Sequence, residues 1–275
     1  TLYYALSEKH SLDIVKQLIT PEVLTMVDRK GRTQLHIALS KKYGINAAII
    51  KLLITPKALT TVDNDGQIPL HIAIKKKLDS VIIESLITQK VLTMFYRNRK
   101  IPLHTALRMD YSIEIIKLLI KPEVLTMVDL YGNTPLHIAL EMGCSIEIIK
   151  LLIIPKLLTI RFWDTPLHIA LKKGLDKEII KLLITPEALT ITEHLGRIPL
   201  HYAIRERYDI EIIKLLITPE ALTIADCYGE IPLHYSIWKG YDMEIIKLIT
   251  SQKALTIANR KGVTPLNIAT SNWKY

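Results

Sequence analysis

Cysteine is nearly absent from this chain, which has only Cys144 and Cys227, and no Asn-x-Ser/Thr glycosylation acceptor occurs anywhere in it. That combination points to a reducing, intracellular compartment, and we expect a cytoplasmic protein. Also missing is any apolar run approaching the ~18 to 20 residues of a membrane span. Lys, Glu or Thr interrupts every hydrophobic stretch, although the hydrophobic fraction is 49% and mean hydropathy is +0.23. High hydropathy therefore reads as core. No low-complexity tract, linker or signal peptide stands out. No Gly-x-x-x-x-Gly-Lys phosphate loop occurs, and the scattered Ser and Asp residues form no nucleophile arrangement, so we expect neither an enzyme nor a cofactor.

What the chain does contain is Pro-Leu-His, or a close variant, at a regular interval. The histidines are His36, His71, His104, His137, His168, His201 and His234, with gaps of 35, 33, 33, 31, 33 and 33 residues. Tyr3 and Asn267 extend the frame by 33 residues at either end. A period of about 33 residues marks stacked supersecondary units. A small residue follows each His two places on: Ala38, Ala73, Ala106, Ala139, Ala170, Ala203, Ser236 and Ala269. This position must admit a neighbouring helix closely.

One unit reads Asp226-Cys-Tyr-Gly229-Glu-Ile-Pro232-Leu-His234-Tyr-Ser, then a short turn and a second helix such as Glu244-Ile-Ile-Lys-Leu. It resembles the ankyrin repeat, whose pattern is Asp-x-x-Gly-x-Thr-Pro-Leu-His-x-Ala. The resemblance implies an all-α fold: an ankyrin-repeat solenoid of stacked helix-turn-helix units with short β-hairpin tips. We expect one domain over residues 1–275, made of a partial repeat 1–27, seven full repeats 28–258 and a partial repeat 259–275. Because both ends fall in helix-one patterns, we also expect a piece of a longer array.

The local chemistry agrees. Gly31, Gly66, Gly132, Gly196, Gly229 and Gly262 stand where a tip needs positive φ. The prolines before each Leu-His open a helix at no cost in hydrogen bonding. Apolar positions spaced as in Ile148-Ile149 and Leu151-Leu152, with Glu147 and Lys150 opposite, give a second amphipathic helix. No single unit can bury its own faces, so stacking supplies the core. Under that stacking the two cysteines lie more than two layers apart, beyond disulfide reach, and should be free.

Three departures stand out. Segments such as Thr185-Pro-Glu-Ala-Leu-Thr190 replace the glycine that usually closes helix two, and predict a brief capped turn that buries its Leu. Ile68, Ile101, Ile198 and Ile231 replace the capping Thr, so helix one should be more weakly capped there. Irregular tips are expected at Phe162-Trp163, which is two residues short, and at Tyr96 and Arg99, which replace the Asp and Gly. A third irregularity is expected where two extra residues lengthen the turn between Lys42 and Ile45.

The recurring histidines invite a metal reading, but they form a ladder rather than a cluster, and no carboxylate or thiol recurs around them at ligand spacing. We expect structural imidazoles and no metal. Function then falls to positions the scaffold leaves free. The resemblance implies that these are the tips and the groove-facing end of helix one, surfaces that bind proteins. On the tips we single out Tyr131, Phe162, Trp163, Leu195, Tyr228, Arg97 and Arg99. Near helix one we single out Lys41, Lys75, Lys76, Arg108, Lys172, Lys173, Arg205, Trp238 and Lys239. Aromatic tips in mid-chain, basic flanks, a net charge of +9 and a pI near 9.3 suggest a partner protein with an acidic surface. The expected function is a non-catalytic protein-binding scaffold, possible also as a peripheral subunit of a larger assembly. The alternative is nucleic-acid binding through the basic stripe, with aromatics stacking on bases.

Overall fold

In the computed structural model, residues 2–7, 12–40, 47–160 and 163–272 are described. The chain divides into two compact units, Thr1–Met142 and Gly143–Tyr275. Inner helices carry the Pro-Leu-His pattern. In the first unit they are Leu2–Ser7, Gln34–Ser40, Pro69–Lys75, Pro102–Arg108 and Pro135–Glu141; in the second, Pro166–Lys173, Pro199–Arg205, Pro232–Trp238 and Pro265–Asn272. Each is followed by an outer helix such as Ile113–Leu119 or Ile210–Leu216, except Pro265–Asn272, which ends the described residues. Within each unit, successive inner helices pack side by side.

Close packing rests on the small residue two places after each His. Ala73, Ala106, Ala170, Ala203 and Ser236 are all fully buried, and the Leu before each His from Leu35 to Leu233 is at most 1% exposed. Each such Leu contributes roughly 1.5 to 3 kcal/mol of hydrophobic stabilisation. The segment after the outer helix forms the expected capped turn. Thr55 Oγ1 accepts the Ala58 amide (3.0 Å), Thr218 Oγ1 accepts that of Ala221 (3.0 Å), and Leu59, Leu189 and Leu222 are buried.

The tips are tight turns rather than strand pairs. Among the described residues, the isolated bridges are Val27 with Thr33 and Tyr96 with Lys100. A side chain, not a ladder, organises each regular tip. Asp226 Oδ1 accepts the amides of Tyr228 (2.8 Å) and Glu230 (2.9 Å), and Asp28, Asp63, Asp129 and Asn259 do the same in their own tips. Successive tips are then tied by backbone bonds, Asn64 N–H to Lys30 O (2.9 Å) in the first unit and Arg260 N–H to Tyr228 O (2.9 Å) in the second. Gly229 is obligatory on two counts: φ is +77°, and a Cβ would meet the Arg260 nitrogen at 2.8 Å.

Tyr96–Lys100 is irregular, as expected: Asn98 and Arg99 both have positive φ (59° and 56°), and Tyr96 and Lys100 exchange backbone bonds. The lengthened turn expected between Lys42 and Ile45 lies outside the described residues.

Candidate functional site

The histidine ladder is structural and satisfies two layers at once. His201 Nδ1 accepts the Ile198 amide (3.2 Å), and its Nε2–H donates to the Glu230 carbonyl of the next repeat (3.0 Å). His36, His168 and His234 reach forward in the same way, to Gln67, Arg197 and Val263. The bond to the backbone amide fixes the neutral tautomer with the proton on Nε2. It also refines the capping expectation. At Ile101, Ile198 and Ile231 no side-chain hydroxyl caps the helix, but the ring nitrogen still takes the Ile amide, as it takes the Thr amide at Thr33 and Thr165, so half of the capping arrangement survives. His71 and His104 depart from this pattern: the Nε2 of each makes no aligned hydrogen bond, and for His71, whose forward carbonyl, Lys100, sits in the irregular tip, Nδ1 makes none either. Burial is the main cause that pushes His71 down to about 3 and His104 and His201 down to about 4.

A second ladder at the other end of the inner helices was not foreseen. Tyr111 O–H donates to the Ile74 carbonyl (2.7 Å), Tyr208 to Leu171 (3.0 Å) and Tyr241 to Ile204 (2.8 Å). Each links an inter-helix turn to the preceding repeat, and burial pushes Tyr111 and Tyr208 up to about 12. The signal in the sequence was Tyr at one register position, 97 residues from Tyr111 to Tyr208 and 33 more to Tyr241.

Of the sequence-derived binding residues, Lys41 and Phe162 lie outside the described residues. Four aromatics of that set are exposed: Tyr131 (52%), Trp163 (57%), Tyr228 (54%) and Trp238 (52%). Trp163 stands edge-on to His194 with centroids 5.8 Å apart, and Trp238 leans on Tyr235 at 6.5 Å. Leu195 is only half exposed, and its carbonyl holds the Cys227 amide (2.7 Å), so its backbone serves the stack.

The basic stripe is largely committed within the fold. Arg97 pairs with Asp65, Arg108 with Glu141 (3.6 Å), Lys172 with Asp164 (2.6 Å) and Arg205 with Glu206 (2.8 Å). Lys172 and Arg205 also flank the Tyr202 ring, at 4.7 and 4.6 Å. Arg99 lies over Phe95 (5.2 Å), and Lys75 sits over the Tyr96 ring (3.6 Å) while donating to Gln67 Oε1 (3.0 Å). Lys76, Lys173 and Lys239 are exposed. In the first unit, Lys75 and Lys76 line a cavity of about 450 Å³ of mixed charge, together with Lys30, Arg32, Asp63 and Asp65. No helix among the described residues is long and apolar enough to cross a membrane.

This geometry can be set beside known proteins. The family model for ankyrin repeats (3 copies) matches residues 2–91, 79–161 and 155–226. Among solved structures, the ankyrin repeat domain of Bcl-3, described as a unique member of the IkappaB protein family, is similar at 23% identity and a TM-score of 0.57, covering 74% of this chain and 95% of that one. The human ASB11 ankyrin repeat domain is similar at 23% identity and a TM-score of 0.52, covering 74% of this chain and 92% of that one. No curated protein sequence is significantly similar to this one. Ankyrin repeat domains generally mediate protein–protein interaction. With its model matched across most of the sequence and its fold reproduced in the structure, the chain belongs to the ankyrin repeat family.

Proposed function

We propose that this protein is a non-catalytic scaffold that binds another protein through the aromatic tips and the helix-one ends beside them, in each unit. The observation that carries the reading is the exposure of Tyr131, Trp163, Tyr228 and Trp238 in a fold whose other large apolar side chains are mostly in the core. Exposed aromatics are costly to leave hydrated and are the residue types that dominate binding energy at protein interfaces.

The partner surface is acidic. Lys76, Lys173 and Lys239 are exposed at the helix-one ends. Arg97, Arg108, Lys172 and Arg205 already pair internally, which interrupts the row of cations a phosphate backbone would follow, and this favours a protein over a nucleic acid. The test is affinity against salt concentration, for a protein partner captured from the native source and for single-stranded nucleic acid. A shallow logarithmic slope with the protein and weak nucleic-acid binding support the reading. Tight nucleic-acid binding with a steep slope contradicts it.

A further inference from the structure

Glu193 breaks the rule that organises the tips. In the other regular tips, at Asp28, Asp63, Asp129, Asp226 and Asn259, the first side-chain oxygen takes the two turn amides. At Asp28 and Asp226 the second oxygen finds a local partner: Asp28 Oδ2 accepts from the Arg32 guanidinium (2.9 and 2.7 Å), and Asp226 Oδ2 accepts from Tyr235 O–H (2.7 Å). Glu193 Oε1 performs the first task, taking Leu195 N–H (2.9 Å) and Arg197 N–H (3.2 Å). Its extra methylene carries Oε2 beyond the turn. There the oxygen accepts no aligned hydrogen bond, although the side chain is 0% exposed. A buried carboxylate oxygen in that state is costly unless a cation faces it.

The groups that do face it are ligand types. His194 Nδ1 lies 2.6 Å from Oε2, out of line for a hydrogen bond, and Lys172 Nζ stands 4.0 Å away, already bonded to Asp164 at 2.6 Å. Donor atoms of Asp164, Glu193 and His194 all lie within 4.8 Å of one another. His194 is 46% exposed, which leaves an entry path for an ion.

From this geometry we infer that Asp164, Glu193 and His194 form a site for a divalent transition ion of the zinc class. One imidazole nitrogen with two carboxylate oxygens suits a borderline ion better than calcium or magnesium, which prefer oxygen alone. Bonds of about 2.0 to 2.2 Å in a tetrahedron put ligand atoms roughly 3.4 Å apart, so the three side chains need only small rotations, and water takes the fourth position. Lys172 competes with the ion for Asp164. The recurring histidines gave no hint of this site, because His194 lies outside their register.

The test is calorimetric titration of chelator-treated protein with Zn2+, alongside thermal unfolding. One ion should bind per chain, raise Tm and be removed by chelator. His194→Ala and Asp164→Asn should each weaken binding at least about tenfold, since even outer-shell changes cost 10- to 100-fold. Lys172→Met should tighten it, an effect that a purely structural cluster would not produce. Co2+ should quench Trp163 fluorescence, and Trp163→Phe should remove that quench while one ion still binds. Zinc binding that is absent, or that persists undiminished in folded His194→Ala and Asp164→Asn variants, overturns the proposal.

Discussion

His201 and Glu230 are joined by a 3.0 Å bond from the imidazole Nε2–H to a backbone carbonyl one repeat further on, and the same ring caps its own helix by accepting the Ile198 amide. One side chain thus closes the start of a helix and fastens it to the next layer. The two tasks can be separated. His201→Asn should keep the cap, as Asn267 does by accepting the Thr264 amide (3.0 Å), but lose the reach to Glu230. His201→Ala should lose both. We expect costs of about 1 and about 3 kcal/mol respectively in urea unfolding, since each orphaned buried group costs ~1 to 3 kcal/mol.

Because the ladder is held neutral, stability should fall in mild acid. The folded pKa values of His71, His104 and His201 lie near 3, 4 and 4, below the unfolded value of ~6.5. The unfolded chain therefore binds protons first. Stability is full above about pH 6.5 and declines as pH falls from there towards the folded values, by roughly 1 kcal/mol per histidine between pH 7.5 and 5.5. Urea midpoints measured at those two pH values check this, and equal midpoints would refute it.

The tyrosine ladder makes a parallel prediction. Tyr208→Phe leaves the Leu171 carbonyl without the phenol and should cost about 1 kcal/mol. Ultraviolet titration should show Tyr111 and Tyr208 ionising only near pH 12.

At one position the fold runs against its own sequence. The inter-helix turn needs a left-handed residue, supplied by Gly143, Gly174 and Gly240 but also by Lys77, Asp110 and Arg207. A non-glycine residue there is strained by about 1 kcal/mol, partly offset by the entropy lost on fixing glycine. Asp110 is exposed, so Asp110→Gly should stabilise the protein by roughly 0.5 kcal/mol and raise its thermal midpoint.

The repeat, its helices, the capped turn and the irregular tip at Tyr96 were legible in the sequence because each follows from spacing of a few residues. Exposure of Trp163 and Tyr228 was legible for the same reason. The commitment of the basic stripe was not, because Arg97 finds Asp65 and Arg108 finds Glu141 about a whole repeat away in the chain. Pattern within one unit says nothing about such pairs. The left-handed requirement at Asp110 escaped notice because glycine marks it in only some repeats. Glu193 escaped because Glu for Asp looks conservative until the extra methylene is placed in three dimensions.

The central claim is that exposed aromatics carry partner binding while charges only steer it, and dissociation rates test that most directly. Trp163→Ala or Tyr131→Ala should each speed dissociation of a captured acidic protein by roughly 30-fold, the equivalent of about 2 kcal/mol for a hot spot. Lys76→Glu, Lys173→Glu and Lys239→Glu together should slow association instead, with an effect that shrinks at high salt. Folded variants of both kinds that bind with unaltered rates would contradict the account and place the site elsewhere on the protein.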